Sequence, residues 1–169
     1  MIRDEAERDA AAVRGLLEQA FESPVEAGIV DALRLACADR ISLVAEHDGD
    51  VAGHILFTPV EIVSAAGPVR GYGLAPMAVV PVLQRRGIGS GLVRAGVARV
   101  RDTGAPFVIV IGHPSYYPRF GFVPASRYGV RCQWPSIPDE AVMLLVLDHT
   151  RAGSLAGEAR YRPEFDAAV

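Results

Sequence analysis

The chain has 169 residues, of which half are apolar and 22% are charged, and its formal net charge is −3. This size and composition predict a single domain with one sizeable core and argue against disorder. The small net charge gives no reason to expect a nucleic acid or an anionic membrane as a partner. Acids and arginines interrupt the apolar runs of the first thirty residues, so we expect neither a signal peptide nor a membrane span. A soluble, cytoplasmic protein is predicted.

The first half of the chain predicts a strand, two helices and three strands. Ser23 and Pro24 are typical of a helix N-terminus, and Asp48-Gly49 indicates a hairpin turn. Pro76 cannot donate to a β-ladder, so we expect an edge, a bulge or the end of pairing there. The predicted elements are strands at 2–4, 41–46, 51–63 and 71–80, and helices at 5–21 and 23–38.

The second half predicts a long helix, a buried strand, a short helix and two further strands. The helix has an apolar stripe at helical spacing, and the run FVIVIG is typical of a strand buried on both faces. This order indicates an α/β or α+β protein whose single sheet has helices on its faces. We expect one domain over 1–150, with 151–169 as a tail or short docked helix. The predicted elements are a helix at 87–103 and strands at 107–112, 122–130 and 141–147.

The stretch VLQRRGIGSGLV, residues 82–93, opens the long helix with closely spaced glycines. A helix N-terminus has unpaired amide N–H groups and a partial positive charge, and glycines let an anion approach those amides. The stretch therefore predicts an anion-binding cradle. A P-loop would need Gly-Lys-Ser/Thr, and a dinucleotide motif would need glycine where Leu92 stands. A solvated helix face would explain the arginines here but not the Gly-x-Gly.

The longer run MAVVPVLQRRGIGSGLV resembles the acetyl-CoA-binding motif of the GCN5-related N-acetyltransferase (GNAT) family. Gln84, Gly87 and Gly89 match that family's Gln/Arg-x-x-Gly-x-Gly/Ala signature. Further along, YYPRFGF is similar to the family's Tyr-x-x-x-Gly-Phe segment, in which the tyrosine is commonly the general acid. The run GHPSYYPRFGF is similar to a bacterial subgroup of acetyltransferases called YhbS-like.

The resemblance implies a GNAT-type fold, with a single mixed, mostly antiparallel sheet of six to seven strands flanked by helices. A splayed cleft is expected between the fourth and fifth strands, where the amide-rich pantetheine arm of the cofactor can pair with a strand edge. The implied co-substrate is acetyl-CoA, without a metal, and its acetyl group passes directly to a primary amine in a ternary complex. The implied cofactor-binding residues are Met77, Ala78, Val79, Gln84, Arg85, Arg86, Gly87, Ile88, Gly89 and Ser90.

The resemblance also implies a catalytic tyrosine. Tyr117 is expected to hydrogen-bond to charge that develops on the leaving sulfur, because a phenol of pKa ~10 is a weak proton donor to a thiolate of pKa ~8.5. Tyr116 becomes the candidate only if the short helix is rotated by one residue. His113 directly follows the buried strand and is our candidate base for the acceptor ammonium. Glu46 and Glu61 are weaker alternatives.

Several alternatives stay open at this point. A non-catalytic acyl-CoA sensor would keep the cradle without turnover, and a generic nucleotide-phosphate binder is disfavoured by the missing lysine. The acceptor is a small-molecule or protein amine of unidentified kind, and homodimerisation is left open. Cys37 and Cys132 predict buried reduced thiols rather than ligands or nucleophiles. Trp134, in the run 131–140, lines an acceptor pocket or caps the core, and His54 has no evident role.

Overall fold

Nine strands and three α-helices make up the structure, a computed structural model that describes residues 1–169. The helices are α1 (Ala10–Phe21), α2 (Val25–Ala36) and α3 (Ile88–Asp102). The strands are β1 (Ile2–Asp4), β2 (Ile41–His47), β3 (Asp50–Ser64), β4 (Gly67–Val79), β5 (Phe107–Ile111), β6 (Val123–Pro124), β7 (Val130–Cys132), β8 (Val142–Val146) and β9 (Gly157–Arg160). Short 3-10 helices span Glu7–Asp9, Pro81–Leu83, Tyr117–Phe120, Ala125–Tyr128, Asp139–Ala141, His149–Ser154 and Pro163–Ala168.

The strands form one mixed sheet in the order β1-β2-β3-β4-β5-β8-β6, and β9 pairs with β3 and β7. β4 and β5 are parallel, as are β7 and β9, whereas β2 and β8 pair antiparallel with their neighbours β3 and β5. The sheet has nine strands rather than the expected six to seven. The predicted strand at 122–130 is instead two short strands, because Pro124 lacks an N–H and Gly129 adopts a left-handed φ of 70°. β9 lies in the segment predicted as a tail or short helix.

The chain forms two compact units. The first unit comprises Met1–Phe57, Ala75–Arg99 and Pro163–Val169, and the second comprises Thr58–Leu74 and Val100–Arg162. Strands β3 and β4 therefore contribute residues to both units. The expected single domain over 1–150 stays a prediction.

Close helix–sheet packing organises the first unit. α3 lies against β3 at two glycines, since a Cβ on Gly53 would be 2.9 Å from Leu92 Cδ1, and a Cβ on Gly96 would run into the ring of Phe57. α2 begins at Val25 with Pro24 as its N-cap, one residue later than the sequence signal indicated, and the Val25 N–H donates to the Ser23 hydroxyl at 3.2 Å. The last 3-10 helix packs on α2.

A buried polar cluster ties β2, β3 and α2 together in the first unit. The Nε2 atom of fully buried His54 is 2.9 Å from Ser42 Oγ, and Ser42 donates its only proton to Glu5 Oε2 at 2.5 Å. His54 Nε2 must therefore carry a proton and donate it to Ser42. Arg34 binds the other oxygen of Glu5 at 2.5 Å. Burial lowers the pKa of His54 to about 4, although Glu5 opposes the shift, so the ring is neutral.

This cluster predicts a loss of stability in mild acid. The unfolded chain protonates His54 below pH 6.5 and the folded protein only near pH 4. The stabilisation is complete above pH 6.5 and is lost as the pH falls from there to about 4. At about pH 5 the free energy of unfolding should be lower by about 2 kcal/mol. Urea unfolding at about pH 7.5 and about pH 5 measures it. His54→Gln should remove most of this pH dependence and the control His47→Gln, at an exposed site, should keep it; equal dependence in both variants would contradict the assignment.

Candidate cofactor-binding and active site

An exposed loop joins β4 to α3 in the first unit. The backbones of Arg85 and Gly87 are left-handed, with φ values of 61° and 86°, and the side chains from Gln84 to Arg86 are exposed. A non-glycine residue in this conformation costs roughly 1–2 kcal/mol, and such strain occurs mainly at functional sites. Left-handed residues within a loop turn successive N–H groups toward one side, which forms an anion-binding concavity.

The amide groups at the start of α3 extend this concavity. The N–H of Gly91 bonds to the carbonyl of Gly87 at 2.9 Å. Ile88 and Gly89 precede that bond, so their N–H groups have no carbonyl one turn back and carry the positive end of the helix dipole. A Cβ added at Gly87 would meet no atom within 4 Å. The loop is therefore open, and its chemistry suits a phosphate group.

The cradle is anchored to the end of β4. The side-chain Nε2 of Gln84 donates to the carbonyl of Val79 at 3.1 Å, and the N–H of Val80 donates to Ala52 of β3 at 2.8 Å. Ala78 and Val79 are buried, Met77 is half-buried, and Ser90 is half-buried in the first turn of α3. The ten predicted cofactor residues thus lie, in chain order, at the end of β4, in the loop that follows it and in the first turn of α3.

Pairing between β4 and β5 is short. The parallel register covers Tyr72–Leu74 against Val108–Val110, whereas β4 continues to Val79. Pro76 lies in this continuation, where its missing N–H removes a ladder donor. The pairing thus ends near Pro76, one of the outcomes the sequence indicated.

Tyr117 is the first residue of a 3-10 helix in the second unit. A Cβ added at Gly112, directly after β5, would lie 2.5 Å from Tyr117 Cε2, so the ring occupies the space above that glycine. The ring also meets Phe122 edge-on at 5.7 Å. No hydrogen bond engages the Tyr117 hydroxyl. Burial, with a smaller effect of Tyr116, raises the pKa of Tyr117 to about 12, so the phenol is a protonated donor at neutral pH.

The candidate bases differ in their surroundings. The side chain of His113 is exposed, and its backbone carbonyl accepts the N–H of Tyr116 at 3.0 Å. Glu46 is bound by Arg3 at 2.6 Å, which is a structural use of its charge. Glu61 is exposed on β3.

Residues 131–140 begin with the end of β7, and Trp134 packs within the second unit. The Trp134 ring packs on the buried ring of Tyr161 at 5.2 Å, and the thiol of Cys132 donates to the Trp134 carbonyl at 3.3 Å.

Sequence analysis did not single out Gly112, for which the available signal is a glycine placed between a buried strand and the tyrosine motif. Both cysteines are free thiols.

No group of three His, Cys, Asp or Glu side chains is arranged to bind a metal ion. None of the helices has the length and apolar character needed to cross a membrane.

The family model of the acetyltransferase (GNAT) domain matches residues 1–125, and the chain belongs to this GNAT family. The N-acetyltransferase YhbS of Escherichia coli K12 is 32% identical over 167 residues, which cover 98% of each chain. The crystal structure of E. coli YhbS in complex with CoA superposes with a TM-score of 0.91 at 32% identity, over 98% of this chain and 91% of that one. A GNAT family acetyltransferase from Brucella melitensis in complex with acetyl-CoA gives a TM-score of 0.79 at 37% identity, over 98% and 97%.

These comparisons confirm the predicted family, fold class and enzyme class. They identify no acceptor. The roles of individual residues stay predictions.

Proposed function

We propose that the protein transfers the acetyl group of acetyl-CoA directly to a primary amine within a ternary complex. The observation that carries this proposal is the exposed loop with left-handed Arg85 and Gly87, which leads into the open N-terminus of α3. The CoA and acetyl-CoA present in the E. coli and Brucella relatives support the same ligand here. The acceptor is a small-molecule or protein amine.

The cradle residues would hold the cofactor's phosphates. The N–H groups of Ile88 and Gly89 supply neutral donors on a helix dipole, and the exposed side chains of Arg85 and Arg86 supply positive charge. The end of β4, from Met77 to Val79, offers backbone groups to the pantetheine amides. The β4–β5 register ends at Leu74, and the expected splayed cleft beside this edge stays a prediction.

Tyr117 and His113 would divide the proton chemistry. Bound acetyl-CoA supplies the activated acetyl group. The Tyr117 hydroxyl donates a hydrogen bond to the sulfur as negative charge develops there. An alkyl ammonium has a pKa near 10 and must lose a proton before it attacks, and exposed His113 is the proposed acceptor of that proton. A cytoplasmic location and the oligomeric state stay predictions.

A thermal-shift panel tests the cofactor. CoA and acetyl-CoA should raise the Tm by roughly 5–10 °C at about one hundred times Kd, whereas ATP and NAD should not. Gly87→Ala should weaken CoA binding about tenfold, because alanine resists the left-handed backbone that orients the amides. Gly104→Ala is the matched control, since Gly104 also has a positive φ, of 80°, and open space around it. Equal stabilisation by ATP, or equal effects of the two variants, would contradict the proposal.

Turnover is tested separately from binding. Release of free thiol from acetyl-CoA is measured against a library of amines, and stimulation by at least one amine is expected. Tight acetyl-CoA binding without turnover on any amine would favour the acyl-CoA sensor instead.

A further inference from the structure

Backbone hydrogen bonds hold the N–H groups of the turn that carries Tyr117 unequally. The Tyr117 N–H contacts the His113 carbonyl at a long 3.5 Å, and the next residue, Pro118, has no N–H at all. The same carbonyl accepts the Tyr116 N–H at 3.0 Å, and the Gly121 N–H donates to the Pro118 carbonyl at 3.0 Å. The N–H of residue 117 is therefore held less closely than that of residue 116.

Arg119 reaches back across this turn with its side chain. Its Nε donates to the carbonyl of Tyr116 at 2.8 Å, and its guanidinium carbon lies 4.5 Å from the centre of the Tyr116 ring. One planar side chain thus binds both the backbone and the aromatic face of the residue before Tyr117. A lysine at position 119 would keep the positive charge, but its ammonium group could not stack flat on the Tyr116 ring while it donates to the carbonyl.

The Tyr116 ring transmits this constraint to Tyr117. The two rings meet edge-to-face, with centroids 5.1 Å apart and planes at 86°. Gly112 and Phe122 bound the Tyr117 ring as well. A shift of Tyr116 would therefore remove one wall of the site that orients the Tyr117 ring.

We propose that Arg119 is a positioning residue, which orients the Tyr117 hydroxyl through the backbone and ring of Tyr116. The proposal rests on the proposed function, in which Tyr117 donates to the leaving sulfur. Arg119 need not touch the cofactor or the acceptor, because the two contacts described above engage its guanidinium within the turn.

Steady-state kinetics of Arg119 variants test the proposal. Arg119→Ala should lower kcat about tenfold and leave the KM for acetyl-CoA unchanged, because misplacing a reacting group slows chemistry without weakening binding. Arg119→Lys should recover only part of the loss. Arg127→Ala is the matched control, since Arg127 is also the third residue of a four-residue 3-10 helix, and its kinetics should equal those of the wild type. A raised KM with unchanged kcat would mean direct cofactor contact and would overturn the proposal.

A double-mutant cycle separates this proposal from the proposed function. In a Tyr117→Phe background, adding Arg119→Ala should cause no further loss, since both changes remove the same hydrogen bond. Additive losses would overturn the positioning role alone. Full activity of Tyr117→Phe itself would overturn the role of Tyr117 and, with it, that of Arg119.

Titration of Tyr117 provides a readout that does not depend on turnover. Carbon-13 NMR of labelled tyrosine should find the pKa of Tyr117 near 12 in the wild-type protein. In Arg119→Ala this pKa should move toward the ordinary value of about 10 as the ring becomes more hydrated. An unchanged pKa would overturn the proposal. If the alanine variant folds poorly, the same comparison is made with Arg119→Lys.

Discussion

Replacing Tyr117 with phenylalanine is expected to lower kcat about 100-fold and to leave CoA binding unchanged. The substitution removes only a hydroxyl that makes no hydrogen bond within the protein, so folding loses little. The effect is measured as thiol release from acetyl-CoA with an amine identified in the screen. CoA binding is measured in parallel by thermal shift.

Tyr116→Phe is the natural control for that experiment. Its ring neighbours the Tyr117 ring, so it tests whether the short helix presents the other tyrosine instead. Activity near that of the wild type is expected for Tyr116→Phe. A large loss of activity in Tyr116→Phe, together with an active Tyr117→Phe, would mean that Tyr116 and not Tyr117 is the donor.

Replacing Gly112 with alanine should lower kcat about as much as Tyr117→Phe does, but by displacing the Tyr117 ring rather than by removing its hydroxyl. The added Cβ would lie 2.5 Å from Tyr117 Cε2, a separation that only a shift of the ring or of the chain after β5 can relieve. The expected cost in the free energy of unfolding is about 1–3 kcal/mol, as for other overpacked sites. Urea unfolding and thiol release measure the two effects on one protein sample.

Gly15→Ala serves as the stability control for this substitution. Gly15 lies inside α1 with no atom within 4 Å of an added Cβ, so alanine should stabilise the helix by roughly 0.5–1 kcal/mol and leave kcat unchanged. A wild-type kcat in Gly112→Ala would contradict this prediction, because it would mean that catalysis does not depend on the observed position of the Tyr117 ring.

The parts of the fold that sequence predicted well depend on neighbouring residues. The loop from Gln84 to Gly89 is one stretch of chain, and its glycines and helix start need no distant partner. The predicted helix at 87–103 corresponds to α3 at Ile88–Asp102. The predicted buried strand at 107–112 corresponds to β5 at Phe107–Ile111, because a short continuous apolar run is typical of a strand that is buried on both faces.

The parts that sequence missed depend on residues far apart in the chain. β9 pairs with β3 and β7, and nothing in the weakly patterned segment around 157–160 indicates those partners. His54 had no evident role, since its neighbours Glu5, Ser42 and Arg34 come together only when β2, β3 and α2 pack. The role proposed for Arg119 likewise requires the observed placement of the Tyr116 ring.

The cradle after β4 has one further consequence, for how this protein tolerates change. The phosphate donors proposed for it are main-chain amides, and every amino acid except proline carries one. Replacing the side chains of Arg85 or Arg86 alters charge but deletes no main-chain donor from the loop. Substitutions at these surface positions should therefore change the charge of the loop and leave its main-chain amides in place.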